Sequence, residues 1–205
     1  MAMNKATDIF SDWALEGRDI GMENNHTTAV NKMLKKIINF YVNPFSFVDA
    51  GCGNGWVVRK MSNHPLCIKS IGVDGALEMI KKAKKIDPNG AYIHSELMEW
   101  VPDDKVDCVH SMEVIYYFTE PKKIISHIVE NWLKSKGLII MGFDYYAENL
   151  KSHSWPSDLN TNMTLLSKNE WMELFNSCGL INTSINQVNP KGDFPGTLVV
   201  NGIKT

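Results

Sequence analysis

FVDAGCGNGW, residues 47–56, decides how the rest of the chain is read. An apolar run from Phe45 ends in glycine, as a fully buried strand does. Gly51, Gly53 and Gly55 then alternate directly ahead of WVVRKMS, which predicts a short helix. Residues without side chains let the backbone turn sharply and approach a ligand closely. The free amides at the start of the following helix then face that ligand. Asp49 falls at the carboxyl end of the strand, where open α/β sheets bind their ligands.

Working outward, strand and helix periods alternate. TTAVNKMLKKIINFY at 27–41 places Val30, Met33, Leu34, Ile37, Ile38 and Tyr41 on one helical face. IKSIGVD (68–74), AYIHS (91–95), VDCVHSM (106–112) and GLIIMGFD (137–144) read as further strands. ALEMIKKAKKI and PKKIISHIVENWL read as helices between them, Pro121 suiting a first turn. SKNE at 167–170 is a capping box that opens another helix, ended by Gly179. NTSINQV and GTLVVNGI have no helix between them and predict an antiparallel hairpin at one edge. The expected fold is therefore α/β: a doubly wound, mainly parallel, seven-stranded Rossmann-like sheet with that hairpin at its edge. No composition break marks a linker, so residues 1–205 are expected to form one domain. Residues 1–43 would be an amino-terminal helical cap, and the aperiodic stretch 145–166 a substrate-cap insertion.

Of 205 residues, 44% are hydrophobic and 21% charged, which excludes a disordered chain. The formal charge is −2, and only Arg18 and Arg59 are arginines, so a nucleic-acid partner is not expected. No stretch is long and apolar enough to span a membrane. Four scattered cysteines without a CxxC pair, and no secretory leader pattern, predict a cytoplasmic protein with reduced thiols. Six histidines without ligand spacing predict no metal. The sequence does not address oligomeric state.

A dinucleotide fingerprint requires a third glycine where Trp56 stands, and no lysine or arginine lies in the loop to meet phosphate. The spacing suits an adenosine joined to something other than phosphate. Asp74 ends the second strand, placed to accept hydrogen bonds from two ribose hydroxyls. Its plainer alternative is a cap on the next helix.

FVDAGCGNGW resembles the first motif of class I S-adenosylmethionine-dependent methyltransferases, and IGVDGALEMIKKAKK resembles their second. YIHSELMEW, DKVDCVHSMEVIYYF and NWLKSKGLIIMG follow in that family's order, so the resemblance covers about residues 40–180. GRDIGMENNH, SMEVIYYF and DYYAENLKSHSW are similar to a small, uncharacterised subgroup of the type 11-like enzymes. The resemblance implies S-adenosylmethionine as cofactor and S-adenosylhomocysteine as product. It implies that Asp49, Gly51 and Gly53 line the methionine end, and that Asp74, Gly75 and Ala76 hold the ribose. Glu96, Leu97 and Met98 would border the adenine, Glu96 being one carbon longer than the usual aspartate. His110 and Ser111 would lie beneath the cofactor.

Glu113 follows a buried strand directly, so it must be paired or face a cleft. With His26 and His153 it is a candidate base. Tyr116, Tyr117, Tyr145, Tyr146 and Trp155 are candidate acceptor contacts, against a plainer reading as packing aromatics. SMEVIYY replaces the D/NPPY motif of adenine- or glutamine-directed enzymes, and no Pro-Cys pair is present for cytosine C5 chemistry. A small-molecule acceptor is expected. The competing functions are a nicotinamide-dependent oxidoreductase on the same sheet and a protein that binds the cofactor without transfer.

Overall fold

A computed structural model of the chain describes residues 3–205. Strands β1 (Phe45–Ala50), β2 (Cys67–Asp74), β3 (Ala91–His94), β4 (Val106–Met112), β5 (Leu133–Phe143), β6 (Leu180–Val188) and β7 (Thr197–Lys204) make one sheet. Their order is β3-β2-β1-β4-β5-β7-β6. The first five run parallel, while β7 is antiparallel to both β5 and β6. The later strand of the closing hairpin is thus the inner one.

Helices α1 (Ala6–Glu16), α2 (Asp19–Phe40), α3 (Trp56–Ser62), α4 (Leu77–Ile86), α5 (Pro121–His127), α6 (Trp155–Asp158) and α7 (Lys168–Ser177) complete the chain. Alternation along β1 separates two cores. Val48 and Ala50 face α5 and α7, with Ile124, Ile125, Trp171 and Phe175. Phe45 and Phe47 face α2 and α3, with Val30, Met33, Ile37, Val57 and Met61. A parallel sheet buried on both faces accounts for the unbroken apolar runs of its central strands. Among the described residues, no helix is long and apolar enough to cross a membrane.

Three local expectations change. The amino-terminal cap is two helices, broken at Gly17, whose φ of 76° gives α1 a left-handed stop. α2 begins at Asp19, ahead of the expected Thr27. The helix from Pro121 loosens after His127 into a wider turn through Trp132, which buries that indole and bonds it to the Trp100 carbonyl at 2.8 Å.

The stretch 145–166 is less free than its composition suggests. It holds a 3-10 turn at Leu150–Ser152 and then α6. Thr164 donates to the carbonyls of Tyr116 and Phe118, both at 2.7 Å. Thr161 pairs with Asn4 across a short parallel bridge. The capping box at Ser167 and Glu170 is present in full.

Candidate active site

All five parallel strands end at one edge, and the glycine loop lies there after β1. Gly51 has φ 76°, a left-handed conformation that costs other residues energy. A Cβ on it would also come 2.2 Å from a methyl of Val114, so the loop and the turn after β4 meet only over a bare backbone. Asn54 donates to the buried Asp19 at 2.8 Å, and Lys82 reaches the same carboxylate at 2.6 Å. That pairing ties the loop to α2 and α4.

Asp74 ends β2 half-buried in the cleft. Its two oxygens accept from the amides of Gly53 and Ala76, each at 2.7 Å. Burial pushes its carboxyl up to about 6, against the pull of those two amides. A cavity of about 560 Å³ opens beside it. Its sheet side is Gly51, Asp74, Gly75, Glu96 and Leu97, and its roof is Thr7 and Phe10 of α1. A narrower recess of about 60 Å³ runs between Asp49, Gly51 and Gly53 and the α2 residues Met22 and His26.

A third cavity, about 380 Å³, lies under both amino-terminal helices and α6. Phe10, Trp13, Tyr116, Tyr117 and Trp155 give it aromatic walls, and Glu113, Asp144 and His26 its polar floor. Glu113 borders all three spaces. Its backbone is left-handed at φ 60°, which turns a buried carboxylate back toward the cleft. Tyr116 donates to it at 2.9 Å, and the Asp144 amide donates to its other oxygen. Desolvation first, and the neighbouring Asp144 charge second, hold the Glu113 carboxyl well above the usual range. Asp144 is raised too, mainly by desolvation. His26 Nδ1 lies 3.7 Å from Asp144, yet burial outweighs that attraction and lowers the imidazole pKa.

The structure thus brings most of the expected cofactor residues to the cleft: Asp49, Gly51, Gly53, Asp74, Gly75, Glu96 and Leu97. Ala76 contributes its amide to Asp74 while its side chain packs on Ala14 and Met79. Met98 is 41% exposed and borders none of the three spaces. His110 and Ser111 lie one layer deeper. His110 Nδ1 is 2.7 Å from Asp49, and Ser111 donates to the Ala50 carbonyl at 2.8 Å.

Of the acceptor-side candidates, Glu113, His26, Tyr116, Tyr117 and Trp155 converge on the third cavity. Tyr145, Tyr146 and His153 do not border it. Tyr145 is buried against Tyr116 and Trp155, and Tyr146 is fully buried with its hydroxyl donating to Gly196. Adjacent residues leaving a strand point to opposite sides, and both sides here are core. His153 is exposed and bonds the Ala147 carbonyl at 3.0 Å, holding its own turn.

The sequence reading missed Asp144. Its donor oxygen, with atoms of His26 and Glu113, falls in a group all within 4.8 Å of one another, a set that could hold a metal ion. Histidine spacing, on which the expectation of no metal rests, does not weigh ligands that meet only in three dimensions. The position of Asp144 at the end of a parallel strand was the signal available. Phe10 and Trp13 were also missed, their helix being only weakly patterned.

Comparisons with known proteins agree with this fold. A family model described as a methyltransferase domain matches residues 23–185. Malonyl-[acyl-carrier protein] O-methyltransferase of Halalkalibacterium halodurans is 27% identical over 150 residues. That stretch is 62% of this chain and 53% of that protein, so the match spans about half the length of the relative. A chain of the complex between the Haloferax volcanii Trm112 methyltransferase activator and a methyltransferase superposes with a TM-score of 0.83 at 26% identity. The coverage is 96% of this chain and 97% of that one. An S-adenosylmethionine-dependent methyltransferase from Thermotoga maritima shares the fold at a TM-score of 0.74 and 17% identity, covering 96% and 98%. Fold and glycine loop define a class I S-adenosylmethionine-dependent methyltransferase. The chain belongs to the methyltransferase-domain family that the model describes.

Proposed function

We propose that the chain transfers a methyl group from S-adenosylmethionine to a small-molecule acceptor held in the 380 Å³ cavity. The observation that carries this reading is the place of Glu113, on the wall of all three spaces. The residues present fit the cofactor. Asp74 offers the ribose a carboxylate, Glu96 and Leu97 border the same 560 Å³ cavity, and the recess at Asp49 and Gly53 suits the methionine tail.

Bound there, S-adenosylmethionine supplies a methyl group already activated as a sulfonium. The chain then has three tasks. The aromatic walls and the α1 roof exclude water and hold the acceptor in line, a positioning effect worth about 7–11 kcal/mol of barrier at best. Tyr116 and the Asp144 amide fix the orientation of Glu113. His26, kept neutral by burial, stands ready to accept a proton from the acceptor. The scarcity of arginine supports a small acceptor over a nucleic acid, and the Trp56 substitution supports this cofactor over a nicotinamide.

Incubating the protein with methyl-labelled cofactor and a metabolite extract tests the reading. A labelled small product by mass spectrometry, lost in Glu113→Gln, is expected. Label found only on macromolecules, or nowhere, would refute it.

A further inference from the structure

The walls of the acceptor cavity narrow its ligand further. Three carboxylates border it: Glu113, Asp144 and Asp158. The cation among its described lining residues, Arg18, is already engaged. It lies over the Trp13 ring at 4.2 Å and faces Glu16 at 3.5 Å. Tyr117 and Trp155 offer further rings beside the carboxylates. A wall of this kind attracts a cation, by charge and by the negative faces of its rings, and repels an anion.

Glu113 and Asp144 press the point. Glu113 is buried, and the two carboxyls are held above their ordinary range by desolvation. One oxygen of Asp144 is buried with no hydrogen-bond partner within bonding distance among the described residues, and the Thr197 hydroxyl is the neutral donor beside this carboxylate. What this pair lacks is a positive charge carrying N–H donors.

We infer that the acceptor is a primary or secondary amine, received as its ammonium ion between Glu113 and Asp144, with its organic part against the aromatic rings. The inference rests on the methyl-transfer reading above and names its substrate class. In the step itself the ammonium first gives one proton to His26. The freed nitrogen lone pair then forms the N–C bond as the methyl C–S bond breaks. That bond's electron pair stays on sulfur, which becomes a neutral thioether. The product is an N-methylated ammonium ion, and His26 returns its proton to water. A basic amine carries a localised lone pair. It does not need the D/NPPY carbonyl set that the delocalised nitrogens of adenine and glutamine are served by, and this chain has SMEVIYY there.

The test uses the intact protein saturated with S-adenosylhomocysteine. Three probes of one shape, 2-phenylethylamine, 2-phenylethanol and phenylacetate, are titrated by calorimetry, with and without a chelator. The amine is expected to bind tighter than the acid by about tenfold or more, a difference of about 1.4 kcal/mol. Glu113→Gln should erase that preference, and so should Asp144→Asn if the first variant fails to fold. Phenylacetate binding as tightly as the amine, no binding by any of the three at millimolar concentration, or amine binding abolished by the chelator would each overturn the inference. The last outcome would make the cluster a metal seat. Failure of S-adenosylhomocysteine itself to bind would instead overturn the methyl-transfer reading, so the two failures are distinct.

Discussion

The backbone amide of Asp144 donates to a carboxylate oxygen of Glu113, so two residues whose side chains repel are joined through their strand ends. β4 and β5 are neighbours in the sheet, and Ser111 and Met112 pair with Met141 and Gly142. The register of two parallel strands thereby fixes the spacing of the two carboxylates. Glu113→Gln keeps the shape and a contact to Tyr116 but can no longer ionise. It should lower the methyl-transfer rate by about 10²–10⁴-fold, the usual worth of a positioned proton-handling group. The affinity for S-adenosylhomocysteine should stay close to wild type, and calorimetry beside single-turnover rates checks both.

The cofactor itself should be visible as stabilisation. S-adenosylhomocysteine at roughly 100 times its dissociation constant should add about 2.7 kcal/mol to the folded state. NAD should add nothing, because Trp56 occupies the position where a dinucleotide loop needs glycine. Thermal scans with each ligand measure the difference. A shift with NAD alone would assign the cleft to a nicotinamide.

Asp74 gives a pH signature with a definite sign. Its folded carboxyl titrates near 6, above the 3.8 of an unperturbed aspartate. The ionised form is therefore less welcome in the fold than in the open chain. That favours the folded state at low pH, and the contribution is lost as pH rises from 3.8 through about 6. Asp74→Asn cannot ionise. The stability difference between the two proteins should move toward the variant across that window and level off above it. Ribose binding runs the other way, since the ionised carboxylate is the better acceptor. Cofactor affinity of the wild type should weaken below about pH 6, and that of Asp74→Asn should stay flat.

Tyr146 separates packing from function. Its hydroxyl donates to the Gly196 carbonyl at 2.7 Å and accepts from Gln187 at 2.8 Å. Tyr146→Phe should cost about 1–3 kcal/mol of stability by stranding buried partners. Its kcat and KM should be unchanged, as none of the three cavities of the cleft touches the side chain. Denaturant titration and steady-state kinetics test the two halves. A KM effect without a stability effect would return Tyr146 to the acceptor site.

What could be read from the sequence was what is local. The glycine loop, Asp74 and the parallel strands announce themselves through spacing and period, because a strand buried on both faces must be apolar throughout. The capping box at Ser167 and Glu170 is complete within four residues. The polar cluster is not local: His26, Glu113 and Asp144 come from α2 and from the ends of β4 and β5. Glu113 and His26 stand out in the sequence as isolated polar residues, whereas Asp144 does not stand out beside Tyr145 and Tyr146. Those tyrosines pack away from the 380 Å³ cavity for a physical reason. Aromatics in an aperiodic stretch look like a lid, yet Thr164 pins this stretch to the turn after β4 and sends Tyr146 into the core.

The antiparallel seating of β7 has a practical side. Leu198 pairs with Phe143 at the cleft edge of the sheet, and Ile203 pairs with Leu138 toward the opposite edge. The chain therefore leaves its last strand on the side away from the glycine loop. At the other terminus, Asn4 and Lys5 are part of the wall of the 560 Å³ cavity. A surface tether, fluorophore or fusion joined after Thr205 would hold the molecule with its cleft turned outward. The same attachment ahead of Asn4 would crowd the 560 Å³ cavity.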